Sequence, residues 1–194
     1  MKGCRPLTEI EIEKVIESFK GRYALRDKAL FILGVKTGYR ISEILSIRLG
    51  DVYQNGKIVD RVTVHRRNMK KKTEGRTVIL NPMVKASLRH WIKELKAWPD
   101  TDENTFIFQS QKGKNKPMSR IQVWRLLESA YKVCKLHGNL GTHSMRKSFA
   151  NIIYEKLEKD LIRTQKALGH KNVNSTVSYL SFRQEDIDEA IMSI

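Results

Sequence analysis

A net charge of +16, from 37 Lys and Arg against 21 Asp and Glu over 194 residues, gains nothing for folding, because like charges repel in a compact state. It points instead to a polyanionic partner, nucleic acid first, with a basic surface kept for solubility as the plain alternative. Hydrophobic residues at 40% exclude a disordered chain, and the longest apolar run, ALFILGV from Ala29 to Val35, is too short to span a bilayer. The start MKGCRPLTEIEIEK has no apolar signal core, so neither export nor membrane binding is expected. Cys4 and Cys134 match no metal spacing and read as reduced thiols of a cytosolic protein.

Along the chain, Thr8 and Glu11 stand in capping-box spacing ahead of apolar residues at helical intervals. A second helix is expected from Ala24 to Lys36, stopped by Gly38. After TGYRISEILSIRLGDV the apolar period changes from about 3.6 to 2. KIVDRVTVHRR and GRTVIL alternate like strands on either side of the basic turn NMKKKTE, predicting a small three-stranded antiparallel sheet near residues 52–81. Asn81-Pro82 is a good N-cap and first-turn pair for a helix through MVKASLRHWIKELKAW. TDENTFIFQSQKGKNKPMS reads as a loop around one short extended piece, and Ser119 caps a helix running to about Leu136.

Thr142 is expected to cap HSMRKSFANIIYEKL, and Asp160 to cap LIRTQKAL, which Gly169 stops. Asn174 is expected to cap a short helix holding Tyr179. QEDIDEAIMSI forms a last helix with Ile187, Ala190 and Ile191 on one face. No repeat, low-complexity tract or linker divides the chain. Residues 1–194 read as a single domain, mainly α with a small antiparallel sheet (α+β).

A basic protein of this kind has few routes to act on a phosphodiester. The chain shows no H-E-x-x-H, no paired Cys/His set and no G-x-x-x-x-G-K-[ST] loop, so metal-dependent hydrolysis and nucleotide hydrolysis have no visible machinery, and no metal or cofactor is expected. A metal-free route needs a side-chain nucleophile, cations for the charge developing on phosphorus, and proton donors and acceptors. Arg40, in TGYRISE, lies where one helix ends and the next begins; a guanidinium is always charged and binds two oxygens at once, though an isolated turn arginine is usually only surface. HSMR puts His143 and Arg146 at i and i+3, on one face of one helix. His170 follows a helix-stopping glycine and Tyr179 lies nine residues on. Singly, these are a turn histidine and a half-buried aromatic; together they offer a phosphate donor and a nucleophile.

Taken in order, TGYRISE, GTHSMRKSFA and LGHKNVNSTVSYL, with the hairpin lysine of KKKTEGRTVIL, closely resemble the signature boxes of the tyrosine recombinase (phage integrase) family. The likeness runs from about Leu7 to Phe182 and implies that family's catalytic-domain fold. It also implies roles. Tyr179 would attack the scissile phosphate, giving a 3′-phosphotyrosine and a free 5′-hydroxyl. Arg40 and Arg146 would hold the non-bridging oxygens with help from His170. His143 would take the phenol proton, Lys72 would protonate the leaving oxygen, and Glu43 would orient Arg40. Lys70, Lys71, Arg76 and Lys147 would contact DNA.

The resemblance further implies site-specific recombination of double-stranded DNA by a cytoplasmic, nucleoid-associated, bacterial or phage-encoded enzyme. Such an enzyme is a monomer free in solution and a homo-oligomer, a tetramer, on DNA. A type IB topoisomerase-like nicking–closing enzyme and a non-catalytic DNA-binding regulator with a relic site are the alternatives. Few residues precede the first expected helix, so no separate N-terminal DNA-binding domain is expected. The chain then reads as a naturally short member, like the fimbrial-switch inversion recombinases, or as an excised catalytic domain.

Overall fold

The computed structural model describes residues 3–64, 75–180 and 184–194. The expected basic hairpin turn, with Lys70, Lys71 and Lys72, lies outside the described residues. The chain divides into two compact units, Met1–Phe149 and Ala150–Ile194.

The first unit opens with α1 (Glu9–Ser18), where Thr8 Oγ1 accepts from Glu11 N–H and the Glu11 carboxylate accepts from Thr8 N–H, the capping box expected from the sequence. α2 (Ala24–Thr37) is apolar on nearly every side and accordingly buried: Ala29, Leu30, Phe31 and Leu33 are fully enclosed. It ends at Gly38, whose φ of 60° is left-handed. A Cβ built there would lie 2.3 Å from the Phe149 ring, so the turn needs glycine for both backbone and space. α3 (Ile41–Ile44) and α4 (Leu49–Val52) follow as single turns.

Where one three-stranded sheet was expected, the described residues form two separate two-stranded ladders. β1 (Tyr53–Gln54) pairs with β2 (Lys57–Ile58) across Asn55-Gly56, both at positive φ, the backbone of a tight hairpin turn. β3 (Arg61–Val64) pairs with β4 (Arg76–Ile79) in the register Arg61↔Ile79 to Val64↔Arg76. Between the ladders Val59 N–H donates to Val52 O at 3.0 Å and Leu80 N–H to Asp60 O at 2.8 Å, so each bond extends its own ladder by one pair and none joins the two. The sequence reading merges the two hairpins because Lys57 to Val64 forms one short β-branched-rich run with no glycine or proline to mark the junction.

Asn81 caps α5 (Pro82–Leu95), with Pro82 in the first turn. Val84, Leu88, Trp91, Ile92 and Leu95 make its buried stripe against the core, and the Trp91 indole N–H donates to Ile107 O at 2.6 Å. Ser119 and Gln122 close a capping box on α6 (Arg120–Val133), which stops short of Leu136 because Lys135 turns left-handed at φ 53°.

α7 (Thr142–Lys156) begins at Thr142 itself, so the expected Thr142 cap is not the one used; Ser144 Oγ accepts from Gly141 N–H at 3.1 Å instead. Within the second unit Asp160 caps α8 (Leu161–Leu168) and left-handed Gly169 ends it, as expected. α9 (Val173–Val177) is capped by Asn172 rather than Asn174, its side chain accepting from Asn174 N–H at 2.8 Å. Tyr179 lies just past this helix, in the turn that follows. Two asparagines flank the helix start and either satisfies a cap, so local preference could not choose between them. α10 (Gln184–Met192) is the expected last helix. Among the described residues no helix is long and apolar enough to cross a membrane.

Candidate active site

In the first unit the site is built on the corner between α2 and α3. Arg40 is the N-cap residue of α3, in extended conformation, so its side chain leaves the corner at a fixed point of the backbone. Glu43, one turn on and only 6% exposed, accepts from Arg40 N–H through Oε2 at 2.6 Å and from Arg40 Nη1 through Oε1 at 3.1 Å. One carboxylate therefore caps the helix and steers the guanidinium.

Beneath the corner Tyr39 is buried, its phenol oxygen 2.7 Å from Val62 O and 2.9 Å from Arg76 O, and burial holds its pKa well above the ordinary value. A phenol has one proton, so it donates to one carbonyl at a time. Either bond ties the corner to the β3–β4 hairpin.

α7 presents His143 and Arg146 toward the same corner. Arg146 is 1% exposed and donates from Nη1 to Gly38 O. His143 is on the exposed side of the first turn of the helix, and its pKa is lowered by desolvation first, then by the guanidinium charges of Arg146 and Arg40 and the Lys147 ammonium. Desolvation and these charges all favour the neutral imidazole, the form a proton acceptor needs. Arg40, Glu43, His143, Arg146 and Lys147 are thus brought together in one unit.

Arg76, expected at DNA, instead turns its two terminal nitrogens to backbone carbonyls, Nη2 to Thr37 O at 2.6 Å and Nη1 to Gly38 O at 3.2 Å. Sequence reasoning missed this bracing contact; its one visible signal was an arginine opening a predicted strand. Lys70, Lys71 and Lys72 remain outside the described residues. Among the described residues no group of three or more His, Cys, Asp or Glu side chains is placed to hold a metal ion.

In the second unit His170 is buried. Its N–H donates to Gln165 O at 3.2 Å, its carbonyl accepts from Gln165 Nε2 at 3.0 Å, and its Nδ1 is 3.0 Å from Thr176 Oγ1. Thr176 is fully buried on α9, so this pair locks the ring between α8 and α9. The Tyr179 ring packs on the imidazole with centroids 5.1 Å apart and planes tilted by 59°. Its backbone is held at both ends, N–H to Thr176 O at 2.9 Å and carbonyl from Asn151 Nδ2 at 3.1 Å. The nine-residue spacing of histidine and tyrosine is therefore what α9 and the short turns on either side of it occupy.

The sequence pattern of the phage integrase family matches residues 5–185. The probable integrase/recombinase YoeC of Bacillus subtilis (strain 168) is 29% identical over 185 residues, covering 95% of this chain and 93% of its own length. The type 1 fimbriae regulatory protein FimB of Escherichia coli (strain K12) is 29% identical over 174 residues, covering 89% and 82%. Among solved structures, the post-cleavage complex of the XerH site-specific recombinase with palindromic difH substrate superposes with a TM-score of 0.75 at 27% identity, over 96% of this chain and 51% of that one. The chain thus spans about half the length of that recombinase.

The lowered pKa of His143 sets a measurable expectation. Its NMR titration midpoint should lie below 6.5, and Arg146→Gln or Arg40→Gln should each move it upward by removing one cation. The unfolded chain takes this proton more readily, so the site's contribution to stability is complete above pH 6.5 and is lost as pH falls below it. A midpoint at or above 6.5 would contradict this placement of His143.

Proposed function

Because this chain belongs to the phage integrase family and is a tyrosine recombinase catalytic domain, we propose that it recombines double-stranded DNA at specific sites, by integration, excision or inversion, through a 3′-phosphotyrosine on Tyr179. The observation that carries the reading is the corner of the first unit, where Glu43 holds the Arg40 guanidinium and the Gly38 carbonyl holds that of Arg146; within the second unit a tyrosine is seated on a buried histidine.

In the first step the Tyr179 phenol oxygen attacks phosphorus as the bond to the 5′-oxygen breaks. His143 accepts the phenol proton and Lys72 delivers one to the departing oxygen. Arg40 and Arg146 neutralise the non-bridging oxygens; Glu43 and the Gly38 carbonyl hold them in place beforehand, so little reorganisation is left for the reaction itself. His170 adds a hydrogen bond from Nε2, its Nδ1 being engaged with Thr176. Attack of another strand's 5′-hydroxyl on the phosphotyrosine reverses the step; one ester replaces another, so no external energy source enters the scheme. Lys147 and the hairpin lysines Lys70 and Lys71 track phosphates. The nicking–closing and relic-regulator alternatives draw no support from relatives named integrase or recombinase.

Recombination of two sites by this route engages four subunits, and α10 is suited to link them: Ile187 and Ile191, one turn apart, are 49% and 62% exposed. The tetramer would form on DNA in the cytoplasm, with the free protein a monomer.

Three expectations follow from this scheme. Tyr179→Phe should bind DNA with little loss yet form no covalent adduct on a nicked suicide substrate, while Arg40→Ala and Arg146→Ala should each slow adduct formation by about 10²-fold or more; adduct from the phenylalanine variant would sink the assignment. A substrate with sulfur for the bridging 5′-oxygen, whose thiolate leaves unprotonated, should rescue Lys72→Ala but not Arg40→Ala. Rescue of Lys70→Ala or Lys71→Ala instead would move the general acid to that residue. Deleting residues 185–194 should impair synapsis of two sites more than cleavage of one, and equal losses would mean α10 packs within its own chain.

A further inference from the structure

Arg76 combines features that a DNA-contacting or merely surface arginine would not need. Its guanidinium bridges two consecutive carbonyls, Thr37 O at 2.6 Å and Gly38 O at 3.2 Å, at the C-terminal end of α2. Those carbonyls have no partner within the helix, and a cation there is favoured by the helix dipole as well as by hydrogen bonding. Its Cζ is 5.0 Å from the Tyr39 ring centroid and 5.8 Å from that of Phe149, so two aromatic rings flank the cation. The same Gly38 oxygen accepts from Arg146 Nη1, so two guanidinium groups share one acceptor. Arg40 follows Gly38 by two residues, the intervening Tyr39 being buried with its phenol on the carbonyls of Val62 and Arg76.

We propose that Arg76 is a positioning residue for strand cleavage: by clamping the peptide between Thr37 and Gly38 it sets the direction of the carbonyl that orients Arg146 and the point from which Arg40 projects. This rests on the recombinase reading above. A planar fork satisfies two adjacent carbonyls at once, which the single ammonium of lysine does not reproduce. Displacement of a charge donor by even 1 Å can cost about 10²-fold in rate, so the brace is felt at the phosphate although Arg76 does not touch it.

The test compares wild type, Arg76→Lys and Arg76→Met on nicked suicide substrates, at a temperature where circular dichroism shows each folded. Arg76→Lys keeps the charge and provides the comparison should Arg76→Met fail to fold. One substrate carries the normal scissile phosphate; in the other a methyl group replaces a non-bridging oxygen, removing the negative charge that Arg40 and Arg146 neutralise. Arg76→Lys should form adduct at least about 10-fold more slowly than wild type on the normal phosphate, with DNA affinity and its salt dependence unchanged, and the deficit should shrink toward none on the methylphosphonate. An equal deficit on both substrates would make Arg76 a general fold determinant and overturn the proposal. Weaker DNA binding, with the salt slope reduced by about one phosphate contact, would make it a DNA contact and overturn it as well. If wild type itself formed no adduct on the normal phosphate, the recombinase reading would fall and the inference with it.

Discussion

One peptide carbonyl, that of Gly38, anchors the corner that carries Arg40 and Arg146. It is presented by a left-handed residue that ends α2, and it accepts from Arg146 of α7 and from Arg76 of β4. Three elements far apart in sequence thereby meet at one oxygen. A non-glycine residue would adopt this backbone at a cost of about 1–2 kcal/mol, and its Cβ would meet the Phe149 ring. The glycine is therefore required by conformation and by packing together. Arg40 inherits its position from this corner and its direction from Glu43.

The electrostatics of the corner run against folding and toward phosphate. Burial first, then the charges of Arg146, Arg40 and Lys147, make His143 give up its proton more easily. Carbonyl oxygens and the buried Glu43 carboxylate offset part of the repulsion before any ligand arrives. On the proposed reading, a phosphodiester would supply the missing negative charge without displacing those supports. The overall +16 extends the same preference across the surface, where it acts on encounter and affinity more than on chemistry.

The histidine–tyrosine unit follows a different design, built almost wholly from short-range bonds. Gly169 stops α8, His170 is held by Gln165 and Thr176, and Asn172 starts α9. Tyr179 then falls in the turn beyond the helix with both backbone groups engaged. The imidazole beneath its ring limits the orientations left to the phenol. Shortening or lengthening α9 by one residue would rotate the tyrosine away from that imidazole, which is why the two side chains keep their spacing.

The sequence by itself determined the features whose partners lie within a few residues. The Thr8–Glu11 capping box, the Asn81-Pro82 start, the Asp160 cap and the glycine stops at 38 and 169 were legible because each is an i to i+3 bond or a single backbone conformation. The order of Arg40, His143, Arg146, His170 and Tyr179 was legible as a pattern of chemical types. Division of the strand region into two hairpins was missed because no glycine or proline marks residues 59–60, where one ladder gives way to the other. Asn172 rather than Asn174 as the α9 cap was decided by which start lets Thr176 reach His170. Only the tertiary structure could assign Arg76, since its acceptors lie 39 and 38 residues away and nothing local distinguishes an arginine that faces solvent from one that bridges carbonyls. Hydrogen bonds between neighbours are written in local order; bonds that close a long loop exist only once the chain has folded around them.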